Sequence, residues 1–456
     1  MITSSRNQVT DDYLADVAAR GEDPGALRAA ALAAADLGPT SYGGRCLSRP
    51  AFLDRAERDQ LDSDLLHLRA ALTALPDRLY GGDLGAFARA AGMTEAQVTA
   101  ILRGSASRAS APTRLTRADL YHDGATFRLM ELNIGSTVGG LDNAVLNQAT
   151  LTHPPFAEFA AAHKLSFCDT MAELADMLKS DYATATGQPP LFAAADWPAS
   201  FATLEPQLRA SATVLGDLGV EIIPCHLGQL EIGGGEVRLD GRHVDVVYRV
   251  FMIEDLLDPG APDLVDPVLR AVERGEVEMF APMDAELYGS KAALSMLSDE
   301  ANRDRFDAAE RESLDRLLPW TRMVRDEPVT FGDEGAGESV GLRELAAERR
   351  EELVLKPTLM HGGLGVVLGW QVGPDDWMAA VHTATGGPYV LQRRIRATPE
   401  PFPAAVPGGT EQQLINWMAF SMGRGFGGGI VRGSADLSGS VLNSAGGATL
   451  GCCFTQ

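Results

Sequence analysis

Apolar residues recur at helical spacing through the first 110 positions, and the rhythm changes after that. The stretch Ala51–Leu75 carries apolar residues three and four positions apart, which predicts an amphipathic helix. Two shorter segments with the same spacing follow, Leu84–Ala91 and Glu95–Leu102. We therefore predict an N-terminal helical region over residues 1–110.

Short alternating segments follow this region. Thr116–Tyr121 and Thr126–Asn133 have strand composition and flank His122-Asp123-Gly124, which is typical of a hairpin turn. A glycine-rich loop comes next, at residues 134–140. Residues 111–164 are therefore predicted to contain a β-hairpin.

Strands and helices alternate between residues 165 and 280. Leu191–Ala195, Val220–Ile223 and Val244–Tyr248 are apolar strand candidates separated by helical stretches. This alternation predicts a parallel, Rossmann-like sheet. No Gly-x-Gly-x-x-Gly follows the first strand, so dinucleotide binding is not indicated.

Residues 281–456 mix helices with strands, which gives the chain an α/β (α+β) class. Leu353–Lys356 and Tyr389–Arg393 are predicted strands, with a glycine loop at Gly362–Gly365 between them. The last 35 residues or so are glycine-rich and contain short predicted strands near Ile430–Arg432, Val441–Asn443 and Leu450–Phe454.

Composition and charge exclude several classes of protein. The chain has 456 residues, 45% hydrophobic and 22% charged, which is globular and long enough for two or three domains. Its net charge of −23 argues against a nucleic-acid partner. No apolar run is long enough for a membrane span, and the N-terminus lacks a signal-peptide core, so we expect a cytoplasmic protein. The 5 cysteines are too scattered for a disulfide framework.

Lysine is rare in this chain. Only four of the 39 basic residues are lysine, at positions 164, 179, 291 and 356, and the others are arginine. A lysine that persists where arginine is otherwise preferred is a candidate for a compact ammonium beside a phosphate. This argument directs attention to Lys291 and Lys356.

Asp119, Glu131 and Asn133 are candidate ligands of Mg²⁺, with Arg117 beside them. Two carboxylates and an amide oxygen suit this cation. Glu131 and Asn133 share one face of a strand. Asp119 joins that face if the hairpin loop is odd in length, and faces away if the loop has two residues. The alternative, a hairpin with solvated acidic side chains, stays open at this point.

Two further features suggest an anion site, and a third suggests contact with an adenine base. Lys356 ends an apolar strand just before the glycine loop, whose backbone N–H groups suit phosphates. Lys291 stands at a predicted helix start, where the helix dipole favours an anion. The backbone of Tyr389–Arg393 could pair with an adenine edge. Each feature also has a plain structural interpretation, as a turn, a surface residue or a core strand.

Together these residues resemble the circularly permuted ATP-grasp ligases, the branch that includes glutathionylspermidine synthetase. The run Arg117, Asp119, Glu131 and Asn133 has that enzyme's spacing, and it precedes both lysines as in the permuted order. Tyr288–Asp299 is similar to the family's stretch around its first lysine. The resemblance covers residues 112–456. Two departures are the lack of an amidase domain and of the Arg-Glu pair in the glycine loop, which put glutathione and polyamine substrates in doubt.

The resemblance implies an ATP-dependent carboxylate–amine ligase that forms an acyl phosphate and releases ADP and phosphate. Mg²⁺ would be held by Asp119, Glu131 and Asn133, and a carboxylate and an amine would be the substrates. Arg117 would hold the transferred phosphoryl group or the carboxylate. The residues implied in ATP binding are Lys291, Lys356, Gly362, Gly363, Leu391 and Gln392.

Arg249 and Arg432 are candidates for binding a substrate carboxylate, with a structural ion pair as the alternative for each. In the implied fold, residues 111–164 and 281–456 form one ATP-grasp body. Residues 165–280 are then an inserted Rossmann-like substrate domain. A homodimer is a further expectation.

Two other functions stay open from the sequence. One is a catalytically silent scaffold or peptide-binding protein on the same fold. The other is phosphoryl transfer without amide formation, although no phosphohistidine-type domain is visible.

Overall fold

A computed structural model describes residues 6–38, 40–107, 111–183, 187–332, 339–360, 362–404, 409–439, 442 and 448–456. The strand predicted near Val441–Asn443 lies outside these residues except for position 442. The α-helices of this part of the chain are α1 (Gln8–Arg20), α2 (Ala26–Ala34), α3 (Arg55–Thr73), α4 (Leu75–Tyr80), α5 (Leu84–Ala90), α6 (Glu95–Gly104), α7 (Asn143–Thr150), α8 (Pro154–Ala162), α9 (Thr170–Asp181), α10 (Pro198–Asp217), α11 (Ala261–Glu273), α12 (Ala285–Gly289), α13 (Lys291–Leu297), α14 (Ala308–Leu317), α15 (Leu342–Glu348) and α16 (Pro374–Ala384).

The strands fall into five sheets. They are β1 (Ala51–Leu53), β2 (Thr116–His122), β3 (Phe127–Ile134), β4 (Leu191–Asp196), β5 (Glu221–His226), β6 (Glu231–Gly233), β7 (Glu236–Leu239), β8 (Arg242–His243), β9 (Val246–Arg249), β10 (Glu278–Phe280), β11 (Thr321–Met323), β12 (Pro328–Thr330), β13 (Ser339–Gly341), β14 (Leu353–Pro357), β15 (Val367–Leu368), β16 (Tyr389–Arg393), β17 (Glu400–Pro403), β18 (Thr410–Met422), β19 (Gly425–Ser434) and β20 (Thr449–Thr455).

A seven-stranded sheet, here called the large sheet, forms the centre of the molecule. Its order is β1-β20-β19-β18-β2-β3, and β17 pairs with the first part of β18. Neighbours are antiparallel except β1 and β20, which run parallel. The predicted hairpin therefore exists as β2 and β3, and it forms one side of this sheet.

The parallel sheet predicted for residues 165–280 is confirmed. Its order is β10-β9-β4-β5, and all three contacts are parallel. Strand β4 is buried throughout, as expected for a strand covered on both faces by helices. Strands β6, β7 and β8 form a separate, small antiparallel sheet between β5 and β9 of the chain.

A four-stranded antiparallel sheet, here called the small sheet, lies in the last third of the chain. Its order is β11-β16-β14-β15. Its apolar face packs on α15 and α16 in a core that includes Trp377, Leu353 and Leu391. Two of the predicted strands, Leu353–Lys356 and Tyr389–Arg393, are thus its central pair.

The N-terminal region differs from the prediction at one point. Helices α1 to α6 are present, but Ala51–Leu53 forms strand β1 rather than the first turn of a helix. The helix α3 begins only after Asp54, whose side chain caps it and forms a capping box with Glu57. This region therefore contributes a strand to the large sheet.

Among the described residues, none of the helices combines the length and the apolar character that crossing a membrane requires.

Candidate functional site

The hairpin of β2 and β3 brings the candidate metal ligands together through a β-bulge. His122 pairs with Phe127 across a four-residue turn, and an even turn of this kind would set Asp119 opposite Met130. The register shifts between Asp119 and Leu120, so that Asp119 pairs with Glu131 instead. Met130 is the extra residue in β3. It places Asp119 and Glu131 on the same face of the hairpin, as a loop of odd length would also have done.

Asp119 is held by three side chains at the floor of the site. Arg117 donates to both carboxylate oxygens, from Nε at 2.8 Å and from Nη2 at 3.2 Å. Asn133 donates from Nδ2 at 3.2 Å, which leaves its Oδ1 available to another partner. The guanidinium of Arg432 lies 3.6 Å away. Burial raises the pKa of Asp119, which is 1% exposed, and the adjacent arginine opposes that effect.

Lys291 links Glu131 to the other wall of the site. It begins α13, which is capped by Ser290. Its Nζ lies 3.4 Å from the Glu131 carboxylate and donates to the Met360 carbonyl at 3.2 Å. The lysine is buried, so its charge is balanced by this carboxylate rather than by water.

Lys356 points from β14 of the small sheet towards the bulge of β3. Its Nζ donates to Gln392 Oε1 at 2.6 Å and to the Met130 carbonyl at 3.1 Å. Burial lowers the pKa of Lys356 to about 8, and Lys291 acts in the same direction while Glu131 opposes it. The bulge therefore also presents a carbonyl to this ammonium.

A cavity of about 310 Å³ separates the large sheet from the small sheet at this point. Asp119 and Glu131 are the acidic residues of its wall. The basic residues of its wall are Lys356, Arg393, Arg394, Arg396 and Arg432. The cavity is therefore locally cationic in a chain whose net charge is −23.

Several sequence-predicted residues line this cavity and others do not. Gly362, Gly363 and Gln392 lie in its wall, and both glycines have positive φ angles of 65° and 81°. Leu391 does not, because its side chain is buried in the core of the small sheet and its strand is paired on both sides. A base edge cannot reach the backbone of Leu391 in that arrangement.

Arg117 and Arg249 occupy structural positions. The remaining Nη1 of Arg117 donates to the Gly139 carbonyl at 3.0 Å, so its guanidinium supports Asp119 and the glycine-rich loop. Arg249 is buried in an ion pair with Glu286 and donates to the carbonyls of Ala281 and Phe251. The structure thus agrees with the alternative stated for Arg249 in the sequence analysis, which was a structural ion pair.

The cavity also contains residues that the sequence did not single out. Trp370 lies in its wall with the Arg394 guanidinium 4.0 Å above the ring. Val354, Leu368 and Ile395 also line the cavity, as do Tyr121 and Asn416 of the large sheet. Of the residues in this wall that the sequence analysis missed, only the arginines at positions 393, 394 and 396 could have been noticed in the sequence, because they form a basic cluster in an acidic chain.

In the described part of the chain, no three His, Cys, Asp or Glu side chains gather as a metal site. The candidate site consists instead of two carboxylates and one amide. Both carboxylates are neutralised by internal cations, Asp119 by two arginines and Glu131 by Lys291.

The comparisons with known proteins support a fold and no more. No protein-family model matches the sequence, and no curated protein matches it. The solved structure of a glutathione synthetase-like effector from Globodera pallida, in its apo form, matches 99% of both chains at 12% identity with a TM-score of 0.55. A candidate gamma-glutamylcysteine synthetase from Methylobacillus flagellatus matches 84% of this chain and 85% of its own, at 13% identity, but its TM-score of 0.42 is too low to indicate a shared fold. The chain thus shares its overall fold with the first of these proteins.

Proposed function

We propose that the protein is an ATP-dependent carboxylate–amine ligase of the ATP-grasp type. The observation that carries the proposal is the cavity between the two sheets. It brings Asp119 and Glu131 from one wall within reach of Lys356 from the other, with Lys291 beside them. A nucleotide triphosphate needs this combination of fixed cations and hard oxygen ligands.

The donor set fits Mg²⁺. Asp119 and Glu131 stand opposite each other, and the free amide oxygen of Asn133 lies on the same face. These three residues would hold the cation, which would supply positive charge beside the phosphates of the nucleotide. Lys291 now neutralises Glu131, and it is placed to turn to phosphate oxygens when a nucleotide is bound.

The proposed reaction needs no protein nucleophile. A carboxylate oxygen of the acid substrate attacks the γ-phosphorus of ATP, and the bond to the β,γ-bridging oxygen breaks to release ADP. Lys356 and Lys291 stabilise the charge on the phosphoryl oxygens during this transfer. The amine then attacks the acyl carbon, phosphate leaves, and the amine loses a proton to solvent, so that an amide forms.

Arg432 is the side chain best placed for the acid substrate. It lies in the cavity wall beside Asp119, and within the described residues its Nε has no hydrogen-bond partner although it is buried. A substrate carboxylate on Arg432 would be next to the transferred phosphoryl group. The glycine loop around Gly362 and Gly363 would cover the phosphates and exclude water from the acyl phosphate.

Hydroxylamine provides a test that requires no knowledge of the natural amine. It is a general nucleophile that converts an acyl phosphate to a hydroxamate. The protein is incubated with ATP, Mg²⁺ and hydroxylamine, together with pools of amino acids, peptides and other carboxylic acids. ADP and hydroxamate are measured in each pool. We expect both to form in equal amounts with at least one pool, and to require Mg²⁺.

The Asp119→Asn and Lys356→Gln variants are expected to lose both products. Lys179→Gln is a matched control, because Lys179 lies on the surface in α9 and pairs with Asp176. ADP formed without hydroxamate in every pool would favour phosphoryl transfer to another acceptor. Failure of the wild-type protein to bind nucleotide at all would favour the scaffold alternative.

A further inference from the structure

We propose that Asn416, together with Tyr121, forms a subsite that recognises the ribose of the nucleotide. This inference rests on the proposed function, because it assumes that a nucleotide occupies the cavity between the two sheets. It predicts that the site recognises the sugar of the nucleotide, and it assigns this recognition to residues of the large sheet.

Asn416 has an unused acceptor in the cavity wall. Its side chain is 0% exposed, and its Nδ2 donates to the Leu120 carbonyl at 3.2 Å. That bond fixes the orientation of the amide, so Oδ1 is the atom that remains. Within the described residues this oxygen has no partner. A buried acceptor without a partner costs free energy, and a ligand hydroxyl in the cavity would offset that cost.

An unpaired amide oxygen is not by itself a sign of a ligand. Asn147 in α7 is also 0% exposed, its Nδ2 donates to the Cys453 carbonyl at 2.9 Å, and its Oδ1 likewise has no partner among the described residues. The difference is location. Asn416 lines the cavity of the candidate site, whereas Asn147 lies away from it.

The strand register places Asn416 between the two ends of a bound nucleotide. Trp417 pairs with Leu120 and Met418 pairs with Asp119, so Asn416 lies beside Tyr121 and on the same face as Asp119. Tyr121 is two residues beyond Asp119 along β2, which is about 7 Å. The subsite thus lies two residues along β2 from Asp119, on the side of His122.

The base end of the cavity lies further in that same direction. The segment after β16 lines the cavity through Arg394–Ala397, and the next N–H, of Thr398, donates to the His122 carbonyl at 2.8 Å. Ile395 of this segment lies in the cavity wall, and the Arg394 guanidinium stacks over the ring of Trp370 there. A nucleotide with its phosphates at Asp119 and its base at this segment has its ribose beside Tyr121 and Asn416.

Binding of Mg²⁺–ADP and of its 2′-deoxy and 3′-deoxy forms tests the inference, measured by calorimetry on the full chain. For the wild-type protein we expect removal of one of the two hydroxyls to weaken binding by at least about tenfold, the effect of one well-made hydrogen bond. For Asn416→Leu we expect weaker ADP binding by a similar factor, and equal affinity for ADP and that deoxy form. Asn147→Leu should keep the wild-type ratio.

Several outcomes would overturn the inference. One is a wild-type protein that binds all three nucleotides equally, and this result would stand even if Asn416→Leu failed to fold. Another is a folded Asn416→Leu that keeps the wild-type preference for ribose. Both leave ADP binding intact and so are distinct from failure of the proposed function, in which ADP itself does not bind and the ribose subsite falls with it.

Discussion

Lys356 shows at the scale of one residue what the scarcity of lysine means. Its ammonium fits between Gln392 of its own sheet and the bulge carbonyl of Met130 on the other. A guanidinium is larger and planar, and it cannot make both contacts from the same backbone position. We expect Lys356→Arg to reduce ADP formation by at least about a hundredfold, the usual effect of losing one preorganised donor.

Lys179→Arg is the control for this change. Lys179 is exposed in α9, so ADP formation and the melting temperature should both stay at wild-type values. Thermal unfolding of Lys356→Arg should show a folded protein. Near-normal ADP formation by that variant would mean that the choice of lysine here carries no function.

The site residues that the sequence predicted are those with unusual chemistry or spacing. Lys291 and Lys356 are prominent because arginine replaces lysine almost everywhere else. Lys356 lines the cavity, and Lys291 pairs with Glu131 of the cavity wall. Asn416 and Trp370 can be identified as cavity residues only from the folded structure. Nothing local distinguishes them from any other asparagine or tryptophan, and their importance comes from the sheet that each one faces.

At the scale of elements, β19 shows how glycine can build a long strand. The sequence indicated only a short strand near Ile430–Arg432, but β19 runs over ten residues and contains several glycines. Gly428 has a φ of 106°, and a Cβ there would lie 2.6 Å from Thr170 Oγ1 and 2.9 Å from the Cys168 carbonyl. The glycine lets α9 approach the strand.

Gly428→Ala should therefore destabilise the protein by at least about 2 kcal/mol, because both the backbone conformation and the contact are lost. Urea unfolding measures this change. Gly216→Ala is the matched control, since Gly216 is exposed near the end of α10 and has nothing within 4 Å of the added carbon. That change should stabilise the protein by about 0.5 kcal/mol. Equal stabilities of the two variants would contradict the role of Gly428.

The loop after β14 is expected to close over the phosphates. Its tip residue Leu364 is 68% exposed, and Gly362 and Gly363 beside it line the cavity. We expect Mg²⁺–ATP to slow cleavage by chymotrypsin after Leu364. Leu257, at 62% exposed and away from the cavity, is an internal control whose cleavage should not change. Unchanged cleavage at both residues would rule out closure of this loop.

Three strands of the large sheet, β1, β17 and β18, were not predicted from the sequence, and two of them illustrate different reasons. β18 is buried along nearly all its length, so its sequence lacks the alternation of a strand with one solvated face. β1 has only three residues, and its strand conformation depends on β20 from the other end of the chain. Periodicity is informative where one face meets water, and neither strand has such a face.

At the scale of the whole molecule, a buried ion cluster fastens the N-terminal region to the large sheet. Glu400 of β17 accepts from Arg49 at 3.2 Å and from the Trp417 indole at 3.1 Å, and the Arg6 guanidinium lies 3.6 Å away. Arg49 also stacks on Phe402 at 3.9 Å. Removing the carboxylate would leave the buried guanidinium of Arg49 without its counter-ion, whereas Arg6 would keep its ion pair with Glu57.

Glu400→Gln should thus cost about 3 kcal/mol or more of unfolding free energy, as measured in urea. Glu205→Gln removes an exposed carboxylate that pairs with Arg209 within α10, and it should change stability by less than about 0.5 kcal/mol. A Glu400→Gln variant as stable as this control would show that the N-terminal region is attached by its apolar contacts alone.

The pairing of β2 with β18 has a consequence for the protein during its synthesis. The contact of Asn416 with Leu120 joins residues 296 positions apart. A ribosome that adds about 5–20 residues per second needs about 15–60 s to cover that distance. For that time the hairpin that carries Asp119 and Glu131 has an unpaired edge. The nascent chain thus exposes a template for wrong strand pairing, and a chaperone bound to residues 116–134 would be needed most in this interval.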